Sequence, residues 1–385
     1  MELTRIIHPI GQGGFYTETL NNHGDEFNVV YDCGGNSQTF MEDYLKRFIF
    51  DDAYRTRKSI DAVFISHLHA DHVNGLKYLL ENIYPKYLIL PQLEDDMLLE
   101  VIFNNTLSDR RNEKDVNGLI TDLYGSEGDN YAESRIIKVS PADGESSMDL
   151  EGDNNSIDLS KADFSNSMIN SGYKIHFGTP WLYIPYNPPV KPRKAGSFYD
   201  FIKNELKISY DFGWAELPNI VKKTSTKKLR EIYSRYFGGN HNAYSMTLFS
   251  GLIKPICYHT YYHNYHNYHQ HCYNDCPCCD YKSYFTPNCL YTGDLEAKGF
   301  TSYLKSFYKP LWETISYIQV PHHGSRDNFH PDLYDSAMDG FVSVGEKNKY
   351  HHPNIDALIN IHKQGCHPMV VTEDFSTMIV QTFDF

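Results

Sequence analysis

No stretch of this 385-residue chain approaches the ~20 consecutive apolar residues that a membrane span needs, and the opening MELTRIIHPIG carries no signal-peptide core. These absences lead to the expectation of a cytoplasmic protein with no membrane partner. Positive charge is also scarce. The 35 Lys and Arg residues face 49 Asp and Glu, a formal charge of −14. That argues against a general nucleic-acid coat, which rests on many Lys/Arg–phosphate contacts. An enzyme that grips phosphate through metal ions remains compatible with it. The local basic clusters, Lys191, Arg193 and Lys194, then Lys222, Lys223, Lys227 and Lys228, read as solvated surface. No internal repeat stands out.

Hydrophobic residues make up 41%, enough to build a core. Residues 5–32 read as a hairpin turning at Asn22–Asp25, and its last strand runs into Asp32 and a Gly34-Gly35 turn. Helical spacing covers 38–50. IDAVFIS (60–66) is short, β-branched and apolar, which suits a strand buried on both faces. A helical VNGLKYLLENI and a strand KYLILP follow, completing a βαβ unit. Residues 94–104 and 113–124 read as helical and 140–168 as loop. Further helices are expected at 197–209, 217–236 and 355–364. Strands are expected at 173–190, 242–256, 289–296, 316–325 and 340–354, with a closing hairpin from VVTEDF to IVQTFDF. The whole is read as one domain, 1–385. It carries an insertion at 92–170, partly loop, and a Cys/His-rich insertion at 256–289.

The chemistry concentrates in "ISHLHADHVNGL" (65–76), which crowds His67, His69, Asp71 and His72 at the C-terminal end of a strand. In open α/β sheets that edge is where ligands bind. Burying four such groups without partners costs roughly 2–7 kcal/mol apiece, so either solvent or a cation must take them. Imidazole with carboxylate suits Zn²⁺, with Mn²⁺ or Fe as alternatives. Two more strand ends carry matching residues: Asp294 in "YTGDLE", and His322 and His323 in "VPHHGS".

This pattern, H-x-H-x-D-H after an apolar strand, then "TGD", then "HHGS", resembles the metallo-β-lactamase superfamily. More narrowly it resembles the hydrolase domains of ComEC-type DNA-uptake proteins. "IGQGGFYTET…VVYDCGG", "NHNAYSMTLFSG" and "SVGEKNKYHHP" resemble further motifs of that branch, in order, over about 5–90 and 173–360. The resemblance implies an α/β fold, the αββα sandwich, with two insertions and a dinuclear site of two Zn²⁺ or Mn²⁺. His67 and His69 would hold one ion, Asp71 and His72 the other. Asp294 would bridge them, and His323 or His322 would complete the set. Asp32 matches a structural aspartate near the metals. No G-H-x-x-G-H motif supplies the usual further histidine, for which His241 and His176 are candidates. Gly14 stands where the branch has an aspartate. Asp71 would steer the nucleophile. His352 would bind a phosphate oxygen or protonate the leaving group, with Tyr350 reaching the substrate.

The insertion at 257–289 offers His271, Cys272, Cys276, Cys278, Cys279 and Cys289 as ligands to one structural zinc, although the spacing is not that of paired C-x₂-C motifs. It is expected to project over the substrate cleft, with Tyr261, Tyr262, Tyr265 and Tyr268 placed to stack on bases or to pack together. The functional expectation is a metal-dependent hydrolase of phosphoesters, a nuclease or phosphodiesterase acting on a nucleotide or single-stranded nucleic acid. The alternatives are a hydrolase of carboxylic esters, lactones or amides, and a non-catalytic metal-binding subunit of a larger defence assembly. A protein partner encoded in the same operon is a further expectation.

Overall fold

The computed structural model describes the chain except residues 51–58, 108–115, 126–129, 132, 144–147, 149–154, 162–166, 190–196, 238–244, 254–257, 265–266 and 274–285. Two mixed β-sheets form among the described residues, of eleven and eight strands. The first runs from the hairpin Tyr258–Asn264 and Asn267–Tyr273 through Ile379–Asp384, Glu2–Ile7, Phe15–Asn22 and Asp25–Cys33. It continues to Ala62–Phe64, Tyr87–Pro91 and Ser134–Ser140, which Asn130–Tyr131 and Met168–Asn170 flank. The second runs His367–Val371, Asp339–Ser343, Tyr317–Gln319, Cys289–Tyr291, Thr247–Gly251, Leu182–Tyr186, Lys174–His176 and Ser156–Asp158.

The period-2 alternation of strand side chains sorts residues into layers. Ala62 and Phe64 point into the space between the sheets, where Tyr31, Tyr183, Tyr291 and Phe341 meet them. Phe64 stacks on Tyr183 with ring centroids 5.8 Å apart, and Tyr31 on Tyr291 at 5.0 Å. Val63, between them in sequence, faces the other way into a core built with helices Gln38–Phe50, Leu76–Asn82, Asp95–Leu107, Val116–Gly125 and Thr226–Phe237. Helices Ala297–Phe307 and Ile355–Lys363 cover the second sheet through Phe300, Leu304 and Ile361. The architecture is the expected αββα sandwich.

Three expectations need correction. The stretch read as a closing hairpin is split between the sheets. His367–Val371 pairs in parallel with Asp339–Ser343, whereas Ile379–Asp384 pairs antiparallel with Glu2–Ile7. The stretch 140–168, read as loop, contains the strand Ser156–Asp158, which pairs in parallel with Lys174–His176, and ahead of it Ser134–Ser140 is a sheet strand parallel to Tyr87–Pro91, with Ile136, Ile137 and Val139 buried. Of the Cys/His-rich insertion, expected over the cleft, the described hairpin instead prolongs the first sheet through Ile379–Asp384, and residues 274–285 lie outside the described residues. Four strands separate the hairpin from Ala62–Phe64, which at a spacing of ~4.8 Å is roughly 24 Å.

One buried polar network ties the sheets together. Arg5 Nε donates to Glu18 Oε1 at 2.7 Å, Nη1 to Gln381 Oε1 at 3.3 Å and Nη2 to the Pro287 carbonyl at 3.0 Å. From the second sheet, Ser250 Oγ and Tyr291 OH donate to Glu18 at 2.6 and 2.9 Å. A buried charge is tolerated only when its hydrogen bonds are satisfied, and here both charges are.

Candidate metal centre

Four strand ends meet at one edge of the sandwich. Asp25–Cys33 delivers Asp32, whose φ of +57° is rare for a side chain other than glycine. Ala62–Phe64 delivers Ser66 and His67, then extended backbone at His69 and the short helix Ala70–Val73 with Asp71 and His72. Cys289–Tyr291 leads to Gly293 and Asp294, and Tyr317–Gln319 leads to His322 and His323. Gly293 has φ +55°, and a Cβ there would lie 2.6 Å from Ser66 Cβ, so only glycine lets the second sheet's strand end close onto the first. His322 and His323 are both left-handed, at φ 51° and 54°. His322 N donates to the Gly293 carbonyl at 3.2 Å, and His323 Nδ1 bonds to the Ser343 carbonyl at 2.8 Å, which hold this strained turn in place.

The turn matters because of where the ring nitrogens end. Ligand atoms of His67, His72 and Asp294 lie within 4.8 Å of one another, as do those of Asp71, His72 and His323. His72 Nε2 is 3.2 Å from Asp294 Oδ1, and His323 Nε2 is 3.4 Å from the same oxygen and 3.5 Å from Asp71 Oδ2. His67 Nε2 is 3.9 Å from Asp294 Oδ2. The Nε2 atoms of His67, His72 and His323 are all buried without a hydrogen-bond partner. A buried unsatisfied nitrogen costs about 1–3 kcal/mol, so three converging on one point mark a place built for something else.

The opposite ring nitrogens explain the aim. Asp32 Oδ2 accepts from His72 Nδ1 at 2.8 Å, and the Ser343 carbonyl accepts from His323 Nδ1. His67 Nδ1 bonds to Ser66 Oγ at 2.9 Å and lies 3.3 Å from Ser245 Oγ. Protons held on Nδ1 of His72 and His323 leave Nε2 lone pairs facing inward, the tautomer a metal ligand needs. Asp32 is itself fixed by Ser66, whose N and Oγ donate to it at 2.7 and 2.8 Å. Imidazoles, carboxylates and oriented tautomers together could hold divalent metal.

The electrostatics agree. Burial would raise the Asp71 and Asp294 carboxyls, yet the surrounding imidazoles, His323 and His72 foremost, hold both below the usual carboxylate range. Burial would lower His72, but Asp294 and Asp32 on its two sides raise it instead. His67 is pushed well down by burial and by its histidine neighbours. Asp32 is lifted by burial against the opposing pull of His72.

His69 departs from the expected pairing. Its ring meets His67 edge-on at 4.7 Å, but Nε2 is bonded to Asn104 Nδ2 at 2.9 Å, and neither trio includes it. Asn104 comes from helix Asp95–Leu107, which lies over the cluster and gives this ring a protein partner. Burial takes His69 down to about 4. Between the two candidates on the HHGS turn, His323 reaches the centre. His322 turns its Nδ1 to Asn328 and sits 5.9 Å ring to ring from His352. His352 Nδ1 is buried without a hydrogen-bond partner, and burial with the two nearby histidines lowers the group to about 4. Tyr350, 63% exposed, stacks on His352 with centroids 5.9 Å apart.

His176 lies on the second sheet beside Asp158, outside both trios. His241, Cys276, Cys278 and Cys279 lie outside the described residues. Of His271 and Cys272 the backbone is described, on strand Asn267–Tyr273. Cys289 is a free thiol buried in the inter-sheet core, pushed up to about 12 by burial. Ser245 is legible in the sequence only as part of an N-x-x-S likeness. In the structure it touches His67 and accepts from Asp294 N at 3.0 Å, so it braces both sheets' contributions. Asn104 and Asn328 carry no sequence signal.

Residues 20–131 match the family model described as Metallo-beta-lactamase superfamily. With its two facing sheets and outer helices, the chain has that superfamily's fold. The matched segment contains Asp32, His67, His69, Asp71 and His72, and Asp294 and His323 come from beyond it. The metallo-β-lactamase superfamily is one of metal-dependent hydrolases. No curated protein matches the chain. Among the described residues, no helix is long and apolar enough to cross a membrane.

Proposed function

We propose that this metallo-β-lactamase-fold protein is a metal-dependent phosphodiester hydrolase. The observation that carries the reading is the convergence of three unpartnered Nε2 atoms, from His67, His72 and His323, on Asp294 and Asp71. In this reading His67, His72, His323, Asp71 and Asp294 would hold the metal. Divalent cations there supply Lewis acidity toward a phosphoryl oxygen and toward water.

The chain's own groups do the rest. Asp71 is 25% exposed, against 7% or less for His67, His72, Asp294 and His323. It is therefore the group that faces incoming water, and its carboxylate accepts a hydrogen bond that orients the attack. His352, whose buried Nδ1 has no hydrogen-bond partner and whose ring lies beside His322, would hydrogen-bond a phosphate oxygen or the departing oxygen. The likeness of "SVGEKNKYHHP" to the ComEC-type ending supports a phosphodiester over an acyl substrate.

The test combines metal analysis by mass spectrometry with hydrolysis of bis(p-nitrophenyl) phosphate. Wild type should hold two equivalents in the cluster and cleave the diester. Asp294→Ala should lose at least one equivalent and about 10³-fold or more in turnover while remaining folded. Unchanged metal content would overturn the bridging role. Turnover of p-nitrophenyl acetate or lactones, with none of any diester, would overturn the phosphodiester reading.

A further inference from the structure

A cavity of about 830 Å³ opens beside the centre, between helix Thr226–Phe237 and the loop that follows strand Asp339–Ser343. Its volume is that of a ligand site, for which about 300–1,000 Å³ is usual. Two walls link it to the chemistry. Gln12 precedes Gly13, whose backbone abuts the Asp71 carbonyl, and Tyr350 stacks on His352.

Its charge is opposite to that of the molecule. Arg230, Lys347 and Lys349 line it, and all three are exposed. None makes an ion pair or a side-chain hydrogen bond with a described residue. On the same helix, Lys228 and Arg235 are both tied to Glu205, at 2.9 and 2.8 Å. The one carboxylate in the lining, Glu373, is engaged by Asn36 Nδ2 and by Glu346 N. Three cations unengaged by any described residue around one cavity, on a chain of net charge −14, form a local anion site.

We propose that this cavity seats the strand flanking the cleaved bond of a single-stranded nucleic acid. Arg230, Lys347 and Lys349 bind its phosphates, and a base lies against the exposed ring of Tyr350. The proposal rests on the phosphodiesterase reading of the neighbouring centre and adds to it a substrate class and a binding residue set. A single strand fits better than a duplex. A duplex is stiff and presents a broad double row of phosphates, whereas one flexible strand can thread into the cavity to reach the three cations.

The experiment is fluorescence anisotropy with a nuclease-resistant phosphorothioate oligothymidylate of about eight nucleotides. Metal-loaded wild type is compared with Arg230→Ala/Lys347→Ala/Lys349→Ala and with Lys298→Ala/Lys309→Ala/Lys363→Ala. The second set removes the same charge from exposed positions outside the cavity. The cavity variant should bind at least about 10-fold more weakly, with the log K against log salt slope reduced by about 2, near 0.7 per lost phosphate contact. The control variant should stay close to wild type. If the triple cavity variant fails to fold, Lys347→Glu on its exposed loop supplies the same contrast. Equal weakening in both sets, no weakening in the cavity set, or a duplex binding as tightly as the single strand would each overturn the assignment. Should the contrast appear while wild type cleaves no diester, the cavity stands and the hydrolytic reading falls. Diester cleavage with no contrast gives the reverse.

Discussion

Replacing Asp32 by asparagine tests whether the centre depends on a single proton. Asp32 Oδ1 accepts from the Ser66 backbone N–H at 2.7 Å, and Oδ2 accepts from His72 Nδ1 at 2.8 Å and from Ser66 Oγ. A backbone N–H cannot become an acceptor, so in Asp32→Asn the new amide must keep its oxygen toward Ser66 N. Its Nδ2 then faces His72 Nδ1. Two donors cannot meet, and the imidazole answers by moving its proton to Nε2, the atom that should hold a cation. The backbone is not the variable, because asparagine tolerates the φ of +57° at least as well as aspartate. Lost partners behind a metal-bound histidine typically cost 10–100-fold in metal affinity, or about 1.4–2.7 kcal/mol. Competition titration against a chromophoric zinc chelator reads the affinity, and ¹⁵N–¹H long-range correlation spectra read the His72 tautomer. An Asp32→Asn protein that binds metal as wild type does, or that keeps its proton on Nδ1, would refute the reasoning.

Two further predictions follow from the same edge. Gly13 has φ +134°, and an added Cβ would sit 2.2 Å from the Asp71 carbonyl oxygen, with only backbone around it. Gly13→Ala is therefore expected to destabilise by about 3 kcal/mol or more and to lose metal together with melting temperature; calorimetry showing an unchanged melting point would contradict the packing described. Asn104→Ala frees His69 Nε2, and one released hydrogen bond of about 0.5–1.5 kcal/mol should tighten metal binding roughly 2- to 10-fold. Weaker or unchanged binding by calorimetric titration would mean that His69 serves packing and not coordination.

The layered fold and the meeting of strand ends were legible because each depends on local pattern. An apolar strand, a glycine and a polar residue recur at Asp32–Gly34 and Gly293–Asp294, and with Ser66–His67 they read as chain arriving at one edge. What the sequence hides is decided by contacts between distant segments. His69 turns to a residue 35 positions on, supplied by a helix whose packing no spacing rule predicts. The final strands look like a hairpin because both are apolar, yet their partners, Asp339–Ser343 and Glu2–Ile7, lie in different sheets. The cationic cavity joins a helix residue to a loop more than a hundred positions later. Gly14 reads as a missing carboxylate, and the structure shows why none fits: a Cβ there would stand 2.9 Å from Asp32 and 3.0 Å from His72 Nδ1. A side chain at that point would press on the hydrogen bond that orients His72.

The Arg5–Glu18 pair lies deep between the sheets and touches no ligand, yet it aligns the two halves of the centre. His67 and His72 ride on the sheet that carries Arg5 and Glu18, and Asp294 rides on the strand of Tyr291, which grips Glu18. Sliding one sheet over the other by even an ångström would pull the Ser250 and Tyr291 hydroxyls from Glu18 and misalign opposing ligands together. Removing one partner of such a pair typically costs about 3–5 kcal/mol. The interior thus works as a dowel: the spacing of the ligands at the rim is set by a charge pair in the middle of the protein.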